Sequence, residues 1–407
     1  MALFTMHHMI CDGWSQGVLV NDLTAFYAAY AQGREPQLPP LQFQYGDYAE
    51  WQRARLQGEV LEKELDYWRK ELANFSGVLE MPTDRPRPAV QTYRGAHHDM
   101  KLSPGLTRRL NDFARRENVT LYMVLLASVQ VLLCRYSGQD DIAVGTPIAN
   151  RPFKETENLI GFFANTLVMR SRLQAEESFR SFLKRVQQTA LGSYAHQEMP
   201  FEKLVDDLNP DRDLSRSPLF QTMFVLQNAP NHGELIMPGL RLALLPSDNN
   251  TAKFDLLFGL EQGGAVLQGG IEYATDLFDQ STIARMGGHW ITLLESMVAR
   301  PASPIADLPL MSAQERQEIV FDWNHTDRQY SREKTIVGII EDQVEKAPQV
   351  IAVVFEGRCI TYAELNSRSN QLAHFLRKKG LSQEHLVGVC MERSVEMVVA
   401  LLGILKA

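Results

Sequence analysis

The sequence has few cysteines and no excess of positive charge. Its 407 residues include 4 cysteines, and 41 lysine and arginine residues stand against 49 aspartate and glutamate residues, for a formal net charge of -8. The cysteines are far apart and form no CxxC pair, so neither a zinc site nor a disulfide framework is predicted; they are Cys11, Cys134, Cys359 and Cys390. The acidic balance also argues against nucleic-acid binding, which normally needs a basic face. We therefore expect no metal site and no nucleic-acid partner.

Long apolar runs are also missing. The longest, near Val398–Leu405, is far shorter than the roughly 20 residues that cross a bilayer. The amino terminus has no basic region ahead of its apolar residues. We therefore expect a cytoplasmic protein without a membrane partner. With 45% hydrophobic residues over 407 positions, the chain is long enough for two or three folding units.

The most informative stretch begins at Met6 and reads MHHMICDGWS. It contains His7, His8, Asp12 and Gly13 in the pattern HHxxxDG. An imidazole titrates near neutral pH and can accept a proton from a nucleophile. His8 is the candidate base. The surrounding apolar residues predict a strand over residues 3–10, on which adjacent side chains point to opposite faces, so His7 and His8 cannot both face one cavity. A core histidine pair at a strand end is the alternative.

Several helices and strands are predicted from apolar periodicity. Apolar side chains at steps of three and four over residues 18–30 predict a helix with one buried face, which Ser15 caps. Ser103-Pro104 predicts a helix start, and the helix over residues 121–136 is apolar almost all round and is expected to be deeply buried. Strands are predicted over residues 96–102, 141–146, 220–227, 240–245, 254–261 and 266–273. Mixed with helices, they predict an α+β fold.

A polar pair, Asn165-Thr166, lies in the apolar segment Ile160–Leu167. A buried amide needs hydrogen-bond partners, because leaving it without them costs about 1–3 kcal/mol. Two interpretations stay open. Either backbone groups satisfy Asn165, or its amide lies near a substrate carbonyl.

Five segments, in this order, resemble the core motifs of condensation domains of nonribosomal peptide synthetases: His7–Ser15, Tyr45–Trp51, Ile160–Arg170, His196–Glu202 and Arg212–Leu219. The resemblance implies a fold similar to chloramphenicol acetyltransferase, with two lobes in a V around a tunnel. The histidine motif lies near the end of the first lobe in this family, so most of that lobe is expected to be missing. Met1 is then expected to be an interior residue of a larger synthetase.

From about Thr335 onward the chain resembles the α/β start of an adenylation domain of the AMP-binding superfamily. Thr361–Leu365 matches the first motif and Leu405–Ala407 the opening of the second. The glycine-rich phosphate loop and the later catalytic lysine of that family are absent, so amino-acid activation is not expected. The predicted organisation is a condensation domain over 1–310, a linker over 311–334 and a truncated adenylation fragment over 335–407. A strand is predicted over 386–391 in this fragment.

The resemblance implies amide formation between an acyl or peptidyl thioester and an aminoacyl thioester, both carried on 4'-phosphopantetheine arms. His8 would deprotonate or orient the amine, and the motif adds His7, Asp12 and Gly13 as catalytic candidates. Asp12 is expected to pair with Arg151 or with an arginine of the missing lobe, and Gly13 to allow a close turn. The remaining candidates are Asn165, Trp14 and Ser15 for substrate positioning, and Arg151 and Trp51 as structural residues; packing is the alternative for Trp14.

The implied partners are the upstream and downstream peptidyl carrier domains, the missing lobe and the remainder of the adenylation domain. Gly287–Trp290 is similar to the attachment motif of carrier proteins, but Trp290 stands where the modified serine would be. Without a hydroxyl no ester can form, so no covalently bound cofactor is expected on this chain.

Three alternatives remain. HHxxxDG also occurs in stand-alone acyltransferases that use coenzyme A, although the adenylation start argues against that interpretation. An epimerising relative carries the motif too, but the segment downstream favours condensation. The third is a non-catalytic, truncated module that serves as a platform for domain contacts.

Overall fold

The chain divides into two compact units. The computed structural model describes residues 4–208, 213–227, 235–242, 250–330 and 332–407. Unit 1 is Met1–Ile319 and unit 2 is Val320–Ala407. Arg212 and the end of the strand predicted over 240–245 lie outside the described residues.

Unit 1 contains a mixed six-stranded sheet. With the strands numbered in chain order, as given at the end of this paragraph, their order in the sheet is β1-β8-β7-β4-β2-β3. Strands β2 and β7 both run parallel to β4, and the remaining neighbours in the sheet are antiparallel. A separate hairpin joins β5 and β6. The predicted α+β class is confirmed. The strands are β1 (Gly95–Lys101), β2 (Asp141–Ile148), β3 (Asn165–Arg172), β4 (Thr222–Gln227), β5 (Leu235–Met237), β6 (Leu240–Leu242), β7 (Leu256–Gly263) and β8 (Val266–Ala274).

Helices cover this sheet, and the most apolar of them lies deepest. The helices of unit 1 are α1 (Gly13–Ala31), α2 (Tyr45–Arg55), α3 (Gly58–Glu71), α4 (Pro104–Glu117), α5 (Leu121–Ser137), α6 (Phe179–Ala195), α7 (Phe201–Leu208), α8 (Gln280–Ala299) and α9 (Ala313–Gln317). Every residue of α5 from 123 to 133 is buried, and the helix packs against α6, α8 and β2. The deep burial predicted for this segment is confirmed. So is the start of α4, where the Ser103 hydroxyl accepts a hydrogen bond from the Leu106 amide.

One end of the β2–β3 pair positions the histidine motif. Ile148 lies opposite Asn165 in the final pair of this antiparallel ladder. The chain leaving β2 toward Arg151 and the chain entering β3 from Gly161 therefore emerge side by side. The first turn of α1 lies against both, since the Ser15 hydroxyl bonds Gly161 and Arg151.

The strand predicted over residues 3–10 is wrong for residues 4–10, and Leu3 lies outside the described residues. His8–Ile10 form a single 3-10 turn, and the Ile10 amide donates to the His7 carbonyl. The His7 ring also competes for the backbone, because its Nδ1 accepts from the Met9 amide at 3.1 Å. Local hydrogen bonds of this kind replace those that a strand would need from a neighbour.

The buried face predicted for α1 is also wrong, although the helix itself forms. Leu23, Phe26, Tyr27 and Tyr30 are exposed, and within the described part of the chain only Ser15 of this helix is buried. Periodicity shows that a helix has an apolar face, but it carries no information about what lies against that face.

Unit 2 contains three helices and a two-stranded sheet among its described residues. The elements are α10 (Ile336–Lys346), β9 (Ile351–Phe355), β10 (Arg358–Thr361), α11 (Tyr362–Lys378) and α12 (Val395–Lys406). The strand predicted over 386–391 is wrong: this segment has no regular structure, and Leu386 is fully exposed. An apolar run becomes a strand only when a neighbour supplies hydrogen bonds, and here β9 and β10 pair with each other.

Neither a membrane span nor a metal cluster is evident in the described ranges. No single helix there is long and apolar enough to cross a membrane; α4 and α5 pass that test only as a pair, by length and composition, and are bent by 105°. No group of three or more potential ligand side chains converges among these residues.

Candidate active site at the histidine loop

The two histidines of the motif have different surroundings. His7 caps the 3-10 turn through its Nδ1 atom, as described above, so its ring serves the backbone. His8 is exposed, and its ring meets the ring of Phe162 edge-on, at 5.2 Å between centroids and 80° between planes. Across the described residues, neither ring nitrogen of His8 makes a hydrogen bond. Both rings are exposed, but of the two only His8 has both ring nitrogens without a hydrogen bond among the described residues.

Asp12 is buried, and its carboxylate oxygens accept hydrogen bonds from backbone amides. Its Oδ1 accepts from the Ser15 amide at 2.8 Å, which makes Asp12 the N-cap of α1. Its Oδ2 accepts from the amides of Phe163 at 3.0 Å and Ala164 at 3.2 Å. Burial opposes ionisation, but the hydrogen bonds from Ser15 and Phe163 and the charge of Arg151 outweigh it and lower the pKa of the Asp12 carboxyl group. The expectation that Ser15 caps this helix is wrong.

Arg151 lies against Asp12, the first of the two partners left open by the sequence. Its Nη2 is 3.2 Å from Asp12 Oδ1 and 2.8 Å from the Ser15 hydroxyl. Its Nη1 donates to the carbonyls of Leu159, at 2.8 Å, and Thr156. Both side chains of the ion pair are 2% exposed. The guanidinium thus joins the start of α1 to the chain ahead of β3.

Ser15 and Trp14 contact protein groups. The Ser15 hydroxyl donates to the Gly161 carbonyl at 2.9 Å and accepts from the Gly161 amide at 3.1 Å. Since Ser15 is fully buried, it has no access to a substrate. Trp14 donates from its indole nitrogen to the Glu157 carbonyl at 2.8 Å. Its ring is partly exposed, so a substrate could still contact it.

Gly13 is not required by the turn of the chain. It is the first residue of α1, and a Cβ atom placed there would meet no other described atom within 4 Å. The expectation of a close turn at this position is therefore wrong.

Asn165 holds the loop that precedes α7. Its amide nitrogen donates to the carbonyls of Gln197 at 2.9 Å and Met199 at 2.7 Å. Its amide oxygen accepts from the amides of Thr166 at 2.9 Å and Phe201 at 3.1 Å. An amide side chain has two donors and two acceptor positions, and all four are occupied. The structure therefore favours the backbone interpretation, and the assignment of Asn165 to substrate positioning is corrected.

Aromatic side chains of α2 pack against the chain segments on either side of the 3-10 turn over residues 154–156. Trp51 meets Phe153 edge-on at 5.2 Å, and Arg55 lies over its ring at 5.5 Å. This packing agrees with a structural position for Trp51. Tyr48 is buried against Phe163 at 4.7 Å, and burial, with the nearby charge of Glu198, raises its pKa to about 12. Its hydroxyl is therefore neutral at physiological pH.

Gly161, Phe162 and Tyr45 lie beside the histidine loop; they belong to two of the motif segments, Tyr45–Trp51 and Ile160–Arg170, but were not predicted as site residues. A Cβ atom on Gly161 would lie 2.2 Å from the Tyr45 ring, so a side chain there would displace that ring. Tyr45 in turn donates from its hydroxyl to the Phe162 carbonyl at 2.8 Å. The available signal was a glycine directly before two phenylalanines, which indicates close approach of a backbone to another group.

Two family models match this chain. The model described as "Condensation domain" matches residues 1–320. The model described as "AMP-binding enzyme" matches residues 340–407. Together they cover both units described above.

Among curated proteins, a linear gramicidin synthase of Brevibacillus parabrevis is 48% identical over 409 residues, which is 100% of this chain and 8% of that protein. The chain thus spans less than a tenth of that relative's length. Among solved structures, a four-domain nonribosomal peptide synthetase bound to AMP and glycine shares the fold, with a TM-score of 0.82 at 24% identity over 98% of this chain and 31% of its own. The X-domain in a complex with OxyB from teicoplanin biosynthesis has a TM-score of 0.68 at 29% identity, over 75% of this chain and 69% of that chain.

Proposed function

Since this chain belongs to the condensation-domain family, with the start of an AMP-binding enzyme domain behind it, we propose that it forms amide bonds in nonribosomal peptide synthesis. An acyl or peptidyl thioester would be attacked by the amine of an aminoacyl thioester. One observation carries the proposal. His8 is exposed with both ring nitrogens unbonded among the described residues, whereas Asp12 and Arg151 beside it are engaged with the protein.

The reaction makes a modest demand on a base. An α-amino group has a pKa near 8, so about a tenth of it is neutral at pH 7. His8 accepts the proton that the amine loses as the tetrahedral centre forms, or it orients the neutral amine toward the thioester carbon. Collapse of that centre expels the thiolate of the donor arm. Asp12 and Arg151 take no part in proton transfer in this scheme.

The substrates would arrive on the 4'-phosphopantetheine arms of upstream and downstream carrier domains. The boundaries proposed here are a condensation domain over 1–310, a linker over 311–334 and an adenylation fragment over 335–407. The division of contacts after Ile319 and the family matches at 1–320 and 340–407 support a junction in this region.

The decisive variant is His8→Ala in the complete synthetase module that contains this chain, with loaded donor and acceptor carriers linked to it. Loss of a general base lowers rates by about 10²–10⁴-fold, so we expect dipeptidyl product to disappear at short times. His97→Ala is the matched control, because His97 is an exposed histidine on β1 beside Asp99. Undiminished product from His8→Ala would remove His8 from the mechanism.

A non-catalytic role, in which this chain supports contacts between other domains, is the second candidate function. It is supported by the similar X-domain, whose structure is that of a complex with OxyB. Amide product that depends on His8 would exclude a purely non-catalytic role for this chain.

A further inference from the structure

The residues Gly161, Phe162, Phe163 and Ala164, here called the platform loop, are held by side chains of the histidine motif. Ser15 binds both backbone groups of Gly161, through bonds of 2.9 and 3.1 Å. Asp12 accepts from the amides of Phe163 and Ala164. The Asp12 and Ser15 side chains therefore bind the backbone of a segment about 150 residues away in sequence.

The other side of the platform loop is held by α2. Tyr45 donates to the Phe162 carbonyl at 2.8 Å, and its ring occupies the place where a side chain on Gly161 would lie. The Phe163 ring is buried, with the Arg151 guanidinium 4.0 Å from its centroid. The backbone on both sides of Phe162 is thus fixed by buried contacts.

The Phe162 side chain is the part of this loop that meets His8. It is 38% exposed, unlike its buried neighbour Phe163. Its ring and the imidazole of His8 are 5.2 Å apart at 80°, the edge-to-face arrangement that aromatic pairs prefer. His8 has no hydrogen bond from its ring within the described residues, and the ring of Phe162 is the aromatic ring that lies against it there.

We propose that Phe162 is a positioning residue for His8, and that Asp12 and Ser15 act on His8 through it. The inference rests on the function proposed above. The aspartate lies four residues after His8 because it holds the segment on which the imidazole rests. A base that is misplaced by about 1 Å can lose about 10²-fold in rate, so the ring contact matters although Phe162 transfers no proton.

Kinetics of Phe162→Leu and Phe162→Tyr test this role, in the same carrier-linked protein as His8→Ala. We expect Phe162→Leu to lower kcat by about 10- to 100-fold with little change in KM, and Phe162→Tyr, which keeps the ring, to restore most of it. Phe153→Leu is the matched control, because Phe153 is also exposed and makes an edge-on contact at 5.2 Å, but with Trp51. Equal kcat for Phe162→Leu and the wild type would overturn the proposal.

A second measurement needs no activity. In the 407-residue chain labelled with ¹³C-histidine, the ring signals of His8 are assigned by their loss in His8→Ala. Phe162→Leu should shift these signals, because the ring current of Phe162 is removed, and Phe153→Leu should not. Unshifted signals would overturn the contact itself. If His8→Ala keeps full activity while the signals shift, the proposed function fails and the contact stands; if the signals shift but kcat does not fall, the positioning role fails.

Discussion

Two histidines in motif-like settings, His8 at the histidine loop and His289 in α8, differ in what their ring nitrogens contact. His289 is mostly buried; its Nδ1 is 2.6 Å from the Tyr136 hydroxyl, and its Nε2 is 2.9 and 3.0 Å from the two carboxylate oxygens of Glu315. A carboxylate only accepts, so Nε2 donates, and in the neutral ring Nδ1 then accepts from Tyr136. His8 is exposed and makes neither kind of bond among the described residues.

The difference separates a histidine that holds structural elements together from one whose ring nitrogens are available. His289 joins the end of α5 to α9, so both of its nitrogens are committed to holding elements together. An imidazole in this position has no nitrogen left for a substrate proton. At the histidine loop the neighbours are committed instead, and the imidazole is left free.

The largest effect on stability is expected from Arg151→Ala. Removing one partner of a buried ion pair costs about 3–5 kcal/mol, and this variant also frees the carbonyls of Thr156 and Leu159. Urea unfolding followed by tryptophan fluorescence measures it, because Trp14, Trp51, Trp68 and Trp290 all lie in unit 1. The control is Arg172→Ala, which breaks an exposed pair with Asp141 and should cost about 0–1 kcal/mol. Equal losses for the two variants would contradict the account of the loop.

Acid should weaken the histidine loop through Asp12. The pKa of this carboxyl group is lowered in the folded protein, so its contribution is complete above the unfolded pKa of about 3.9 and is lost as pH falls through the folded value. We expect the free energy of unfolding to fall more steeply below about pH 5 for the wild type than for Asp12→Asn. The two curves should converge in acid. Asp99→Asn, at an exposed position of β1, is the control; parallel curves for the wild type and Asp12→Asn would contradict the prediction.

The smallest of the expected changes in stability comes from replacing the two histidines, and it compares them directly. His289→Ala leaves the Tyr136 hydroxyl and the Glu315 carboxylate without their partner, which costs about 1–3 kcal/mol. His8→Ala removes an exposed side chain and should change the free energy of unfolding by less than about 0.5 kcal/mol. Urea unfolding compares the two, and carrier-linked product formation should show the reverse order. A greater loss of stability in His8→Ala than in His289→Ala would contradict the comparison.

Elements with a local cause were predicted well. Ser103-Pro104 starts α4, and the uniformly apolar segment in α5 is buried, because a cap and an all-apolar surface depend on a few adjacent residues. Expectations that needed a neighbour were less reliable. Residues 4–10 and 386–391 do not form the predicted strands, and the apolar face of α1 is exposed.

The site residues show the same difference between what a local pattern predicts and what depends on neighbouring residues. HHxxxDG identified His8 and Asp12, and Arg151 was one of two possible partners for Asp12. The roles assigned to Asn165 and Ser15 were reversed by their surroundings, since every polar group of the Asn165 amide and the buried hydroxyl of Ser15 bond the protein.

The family, the mixed α+β class and the motif could be predicted from residue types at fixed spacing, because such spacing is a property of the chain before it folds. The folded structure was needed to show which imidazole has both nitrogens unbonded among the described residues and which aromatic ring lies against it. The Phe162–His8 contact and the bonds from Asp12 to the platform loop join segments about 150 residues apart. Contacts over such separations depend on how β2, β3 and α1 come together, and no local pattern of residues specifies them.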